Sequence, residues 1–189
     1  LEVYGADLWK ALAGICAGLD RVGLEPAGVT WEFARTFEEK AGIVPGAGPG
    51  VVAELRRAKD ATAVAALREA AAVGDAAFAA LDELRGRAAT EADLAWELVA
   101  EMRRHGGEPA DWAAIVAAGA ASSIPHYETG RLPLGGGLLL LDYGCVVGGY
   151  HSDMSRTVWL DGAADASLRD IYSVVLESET AGIAGNRSR

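Results

Sequence analysis

The chain has 189 residues, enough for one sizeable domain or a small domain with a piece of another, and its 51% apolar and 23% charged content is that of an ordinary soluble globular protein rather than a disordered one. A net charge of −10 argues against nucleic acid or an anionic membrane surface as a partner, since both require a basic footprint. No apolar run approaches the roughly 18 residues of a membrane span.

The N-terminal "LEVYGADLWKAL" has neither a basic leader region nor an initiator Met, so no signal peptide is expected. Cys16 and Cys145 lie far apart, and this sparse usage fits buried free thiols in a reducing cytoplasm. No positive group sits beside Cys145 to activate it.

"DLWKALAGICAGL" places Leu8, Leu12, Ile15 and Leu19 at helical spacing. "RVGLE" predicts a short strand, "TWEFARTFEEKAG" a helix stopped near Gly42, and "VPGAGPG" a loop. Residues 1–50 cannot close a core alone and predict the tail of a preceding domain.

From Val51 the character changes. "VVAELRRAKDATAVAALREAAAVGDAAFAALDELRG" carries Leu55, Val64, Leu67, Ala71, Phe78 and Leu81 on a roughly helical repeat that ends at Gly86. A turn is expected at Lys59-Asp60, with Asp60 as the N-cap of the long helix. In "TEADLAWELVAEMRRHGG", Thr90 and Asp93 predict a capping box with Asp in place of Glu, and Leu94, Leu98 and Met102 form an apolar stripe. His105, at the end of that helix, is read as a C-terminal cation rather than a ligand.

The remainder is rich in strand signals. "WAAIVAAG" and "GLLLLDYG" are short apolar runs bounded by turn residues, and "GYHSDMSRTVWL" alternates as a further strand. "SLRDIYSVVLESETAGIAG" then predicts a helix with Leu168, Ile171, Tyr172, Val175 and Leu176 on one face, covering the sheet. Helices, a small antiparallel sheet and a closing helix make the expected class α+β.

Two aspartates stand out in "LLLLDYGCVVGGYHSDMSRT". With Val147 and Gly148 as a two-residue loop, Asp142 faces Asp153 on one side of the hairpin, with Cβ atoms roughly 4.5–5.5 Å apart. Opposed carboxylates destabilise a sheet unless one is protonated or a cation lies between them. Either aspartate could instead cap a turn. Arg156 could neutralise Asp142, and a divalent cation bridged by both carboxylates is the other solution.

The same stretch resembles the signature "D-x-G-x4-G-Y-x-S-D-x-T/S-R-T" of the pita-bread metallopeptidases, the family of Xaa-Pro aminopeptidases, prolidases and, more distantly, creatinase. "AELRRAKDATAVAALREAAAVGDAAF" resembles the opening of that family's catalytic domain. The run from "GRAATEADL" through "SSIPHYETG" to "LPLGGG" resembles its second helix, first strand and histidine-bearing loop. The resemblance spans about Val51 to Ala184. It implies that residues 1–50 end an N-terminal creatinase-like domain and that 51–189 form the first half of a pita-bread domain.

Carried over position by position, the resemblance makes Asp142 and Asp153 the first two metal ligands of a site holding two divalent ions, usually manganese, cobalt or zinc. It makes His126 the catalytic histidine that hydrogen-bonds the substrate. His151 falls at a variable position. The implied chemistry is metal-assisted peptide hydrolysis of a substrate with proline second.

Three further ligands, a histidine and two glutamates, belong to the family's second half. No histidine follows His151, and Glu177 and Glu179 lie on a predicted helix, so neither is a ligand candidate. The pattern gives way to "NRSR", which predicts a fragment or truncated product with little activity of its own. A half-domain exposes apolar faces that make a homo-oligomer an expected partner. The alternatives are prolidase-type dipeptide cleavage or a non-catalytic pita-bread protein that binds peptides. Creatinase-like chemistry is disfavoured because creatinase relatives lack the metal aspartates.

Overall fold

In the computed structural model, which describes residues 8–162 and 164–186, the first element is helix α1 (Leu8–Cys16). Residues 1–7 and 187–189, on which the expectations for the chain's two ends rest, lie outside the described residues. Strand β1 (Gly23–Leu24) follows, then helix α2 (Trp31–Ala41), whose boundaries have local causes. The Thr30 hydroxyl accepts the Phe33 N–H at 3.1 Å, and Gly42, at φ 69°, donates its N–H to Glu38 O. Trp9 of α1 meets Phe33 of α2 with ring centroids 5.3 Å apart.

The loop expected over "VPGAGPG" contains strand β2 (Gly46–Ala47), parallel to β1 and tied to it by Gly46 N–H to Val22 O and Gly48 N–H to Leu24 O. Two residues carry no alternation, so no periodic signal announces such a strand. Helix α3 (Val51–Leu55) comes next.

Two units divide the chain, one up to Asp60 and one from Ala61 on. Helix α3 falls in the first of these units, where the Val52 N–H bonds the Glu25 carboxylate at 2.7 Å.

The second unit begins with α4 (Ala61–Ala79), α5 (Leu81–Arg87) and α6 (Glu91–Arg104). The single repeat expected to Gly86 is broken at Ala80, after which Leu81 and Leu84 are buried. The buried stripe of α4 is Ala63, Ala70, Val73, Gly74 and Ala77, rotated from the expected one. Small side chains let the helix approach the sheet closely, and the Tyr143 hydroxyl reaches the Gly74 carbonyl at 3.3 Å. The capping box at α6 forms as expected, with Thr90 and Asp93 bonding each other's backbone N–H, and Leu94, Leu98 and Met102 are buried. His105 is its C-cap and pairs with Glu101 at 3.2 Å.

Strands β3 (Glu108–Pro109), β4 (Ile115–Ala118), β5 (Leu138–Tyr143), β6 (Cys145–Val147), β7 (Tyr150–His151) and β8 (Met154–Trp159) form two antiparallel sheets, ordered β4-β5-β8 and β3-β6-β7. Along β5 the side chains alternate. Leu139, Leu141 and Tyr143 are fully buried in one cluster with Ala70, Ala77, Leu94 and Leu98. Each such side chain contributes roughly 1.5–3 kcal/mol on burial. Leu138, Leu140 and Asp142 occupy the opposite, half-open face. Cys145 is buried, with Sγ 3.5 Å from the Ala70 carbonyl.

Helix α7 (Ala166–Asn186) forms where expected, but it does not cover the sheet. None of its residues is buried, and Ile171 and Val175 are each 60% exposed. Only its first turns approach the open face, where Leu168 and Tyr172 line a cleft with Leu138 and Trp159. The class is α+β, and no described helix is long and apolar enough to cross a membrane.

Candidate metal centre

The hairpin that carries the aspartates turns at Gly148 and Gly149, both with positive φ, at 56° and 79°. A type I′ turn, one of the two-residue turns that match strand twist, has positive φ at both positions, which this glycine pair accepts without a Cβ penalty. Val147 therefore pairs with Tyr150, and Asp142 pairs with Ser155. The expected loop at Val147-Gly148, with Asp142 facing Asp153, is corrected by one residue in the turn and two in the register. A two-residue shift preserves parity, so Asp153 remains on Asp142's side of the sheet.

Between β7 and β8 the ladder is interrupted at Ser152-Asp153. The Ser152 N–H bonds the Cys145 carbonyl at 2.9 Å, and its hydroxyl accepts the Cys145 N–H at 3.2 Å. Gly144 lies against this crossing, where a Cβ would stand 2.0 Å from the Ser152 carbonyl oxygen. The kink leaves Asp153 exposed beside the half-buried Asp142.

Electrostatics ties these groups together. Burial, and then the negative charge of Asp153, raise the Asp142 carboxyl above its ordinary value of 3.8. His126 opposes the rise, as does a hydrogen bond with Ser155. Asp142, Asp153 and His126, singled out from distant stretches of sequence, are thus brought to one neighbourhood. Ser155 joins them unannounced. Its signals were the alternation of β8 and the hydroxyl position just before Arg156 in the signature.

Arg156 takes no part in neutralising Asp142. It pairs across β5 with Leu141, on the other face, where its guanidinium reaches Asp75 at 2.9 Å and lies 5.5 Å from the Phe78 ring centroid. Of the two ways to relieve the carboxylate pair, the local cation is therefore engaged elsewhere.

His126 follows a 3-10 turn (Gly119–Ser123) and is the one non-glycine residue with positive φ among the described residues, at 52°. That conformation costs a side-chain-bearing residue roughly 1–3 kcal/mol and persists where neighbours hold it. His151 stacks on Trp112 with ring centroids 5.4 Å apart and lies 3.5 Å from Asp111. Glu177 and Glu179 are exposed on α7. Among the described residues no group of three or more His, Cys, Asp or Glu side chains is gathered to hold a metal ion. Two carboxylates with a histidine nearby make an oxygen-rich but incomplete donor set.

Residues 65–188 match the metallopeptidase family M24. The chain is 33% identical over 171 residues to the uncharacterized peptidase YqhT of Bacillus subtilis, covering 88% of this chain and 48% of that protein. It is 33% identical over 129 residues to the Xaa-Pro aminopeptidase of Escherichia coli, covering 68% of this chain and 29% of the relative. Among solved structures, the Xaa-Pro dipeptidase of Bacillus anthracis superposes with a TM-score of 0.81 at 28% identity, covering 94% of this chain and 51% of that one. The X-Pro aminopeptidase of Thermotoga maritima gives 0.79 at 25% identity, with 95% and 52% covered. The chain therefore spans about half the length, or less, of these proteins.

Proposed function

This chain belongs to metallopeptidase family M24, and on that premise we propose that the Asp142–Asp153 face is one wall of a divalent-metal centre for hydrolysis of peptides with proline second. The observation that carries the reading is the convergence of two carboxylates on the open face of one sheet, close enough for Asp153 to raise Asp142's affinity for a proton. A carboxyl whose proton affinity is raised by burial first and by a neighbouring carboxylate second is one that a bound cation relieves. Carboxylate oxygens suit hard divalent ions such as manganese, and cobalt and zinc also accept them.

Divalent ions bound there would supply Lewis-acid polarisation of a peptide carbonyl and acidification of an attacking water. The chain's own residues do the rest. Asp142, anchored in the central strand β5, offers its carboxylate from a fixed backbone. Asp153, at the kink before β8, reaches the same point from the neighbouring strand. His126 presents its ring from the exposed loop, where it can hydrogen-bond the substrate or the developing oxyanion. Ser155 hydrogen-bonds the Asp142 carboxyl and orients it.

Two carboxylates supply fewer donors than a stable two-ion centre needs, so this chain by itself has little or no peptidase activity. The test is incubation of purified chain with Mn²⁺ and an Xaa-Pro peptide, following release of the N-terminal residue. No release is expected, and robust turnover would contradict the incomplete site.

A second reading, peptide binding without cleavage, is favoured by the lack of a three-donor group among the described residues. It predicts that an Xaa-Pro peptide binds equally well to the wild type and to Asp142→Asn in the presence of a chelator. Loss of binding in either condition would exclude it.

A further inference from the structure

The segment that carries His126 rests on a buried acid. Glu91, the first residue of α6, is fully buried at 0% exposure. One of its carboxylate oxygens, Oε1, accepts the Ala118 N–H at the end of β4 at 2.8 Å. The other, Oε2, accepts the Tyr127 hydroxyl at 2.9 Å. A carboxylate in such a place is costly unless its oxygens are satisfied, and both are. The Ala118 bond joins α6 to the sheet. The Tyr127 bond does something different, since it reaches the residue next to His126.

Two further ties fix the same loop. The Thr129 hydroxyl accepts the Val116 N–H at 2.8 Å, and the Ala92 and Glu91 N–H groups at the start of α6 bond the Gly130 and Leu132 carbonyls at 2.9 and 3.0 Å. His126 is therefore exposed in a strained left-handed conformation, while the residues just after it are bonded to a helix terminus and a strand. A strained residue keeps its conformation only where the surroundings over-determine it.

We propose that Glu91 is a positioning residue, holding His126 through Tyr127 over the Asp142–Asp153 face. This rests on the reading of that face as a metal-dependent peptidase site. Glu91 touches neither substrate nor the reacting atoms. It fixes where the imidazole stands by fixing the backbone beside it, as the supporting shell of a metal site fixes its ligands.

The test compares wild type, Tyr127→Phe and Glu91→Gln by NMR on the full chain. One arm reads backbone order parameters; the other reads broadening of the His126 ring protons on addition of Mn²⁺ alone. Tyr127→Phe removes one hydroxyl and leaves the Glu91–Ala118 bond in place. The expected result is a fall at His126 and Tyr127 from about 0.85, the rigid value, to below about 0.6, with α6 and β4 unchanged. Glu91→Gln should keep the rigid value, because its amide can accept from Ala118 and donate to the Tyr127 oxygen. Mn²⁺ broadening of the His126 ring should weaken in Tyr127→Phe while broadening around Asp142 and Asp153 persists. Unchanged order at His126 in Tyr127→Phe would overturn the proposal, and so would equal loosening of the loop, α6 and β4. Absence of any Mn²⁺ effect in the wild type would count against the metal reading, and the order parameters would still decide the role of Glu91.

Discussion

Asp142 owes its raised pKa to burial first and to Asp153 second, and this has a consequence for stability. A carboxyl whose pKa is higher folded than unfolded takes up a proton on folding within the interval between the two values. Stability is then lost as pH rises through that interval, and the penalty is full above it. In metal-free protein, Asp142→Asn removes the penalty. The melting temperature of the variant should exceed wild type at pH 7, and the gain should vanish as pH falls below about 3.8, where both forms are neutral. Thermal melts across pH check this; a lower melting temperature at pH 7 would show that the carboxylate is stabilised by something other than a cation. At this scale the motifs single out Asp142, Asp153 and His126, and the fold brings those three to one neighbourhood. The sequence was silent on Glu91, because a buried acid at a helix start reads like any first-turn glutamate. Its partners, Ala118 and Tyr127, become neighbours only on folding.

Among the elements, the hairpin shows how one glycine decides a geometry. A methyl group at Gly144 would meet the Ser152 carbonyl oxygen, which is backbone and cannot step aside. Gly144→Ala should cost roughly 3 kcal/mol, at the upper end of overpacking penalties. At Gly74 the methyl would meet the Met154 thioether, a flexible side chain, and Gly74→Ala should cost only about 1 kcal/mol. Thr90→Ala, which removes the cap of α6, should also cost about 1 kcal/mol. Denaturant unfolding ranks the three. Capping and periodicity made α2 and α6 legible because those signals are local. The turn was misplaced by one residue because Val147-Gly148 and Gly148-Gly149 both contain glycine, and only the requirement for two positive φ angles separates them. The rotation of the buried face of α4 was hidden for a related reason. Alanines carry little hydrophobic signal, yet their small size is what seats α4 on the sheet.

For the molecule as a whole, α7 sets the outline of what this chain can do alone. Ile171 and Val175 are exposed on it, so Ile171→Glu with Val175→Glu should change unfolding free energy by no more than about 0.5 kcal/mol per site, as surface substitutions do. A large loss would mean that α7 is packed in solution. The class and the succession of helices, sheet and last helix were legible because helical and strand periods differ clearly from Ala61 onward, while the break at Ala80 and the two- and three-residue strands β3, β6 and β7 are too short-ranged to carry a period. That the last helix leaves the sheet uncovered was not legible, since an amphipathic pattern records a face to be buried without saying by what. The chain spans about half of proteins such as the Thermotoga maritima X-Pro aminopeptidase, and it places two carboxylates on one open face. Titration of the chain with Mn²⁺, followed residue by residue by NMR, tests that account most directly. Broadening centred on Asp142 and Asp153, with a Kd of about 10⁻⁴–10⁻³ M typical of weak carboxylate sites, and its loss in Asp153→Asn, is the predicted result. Affinity unchanged in Asp153→Asn, or broadening centred elsewhere, would contradict it.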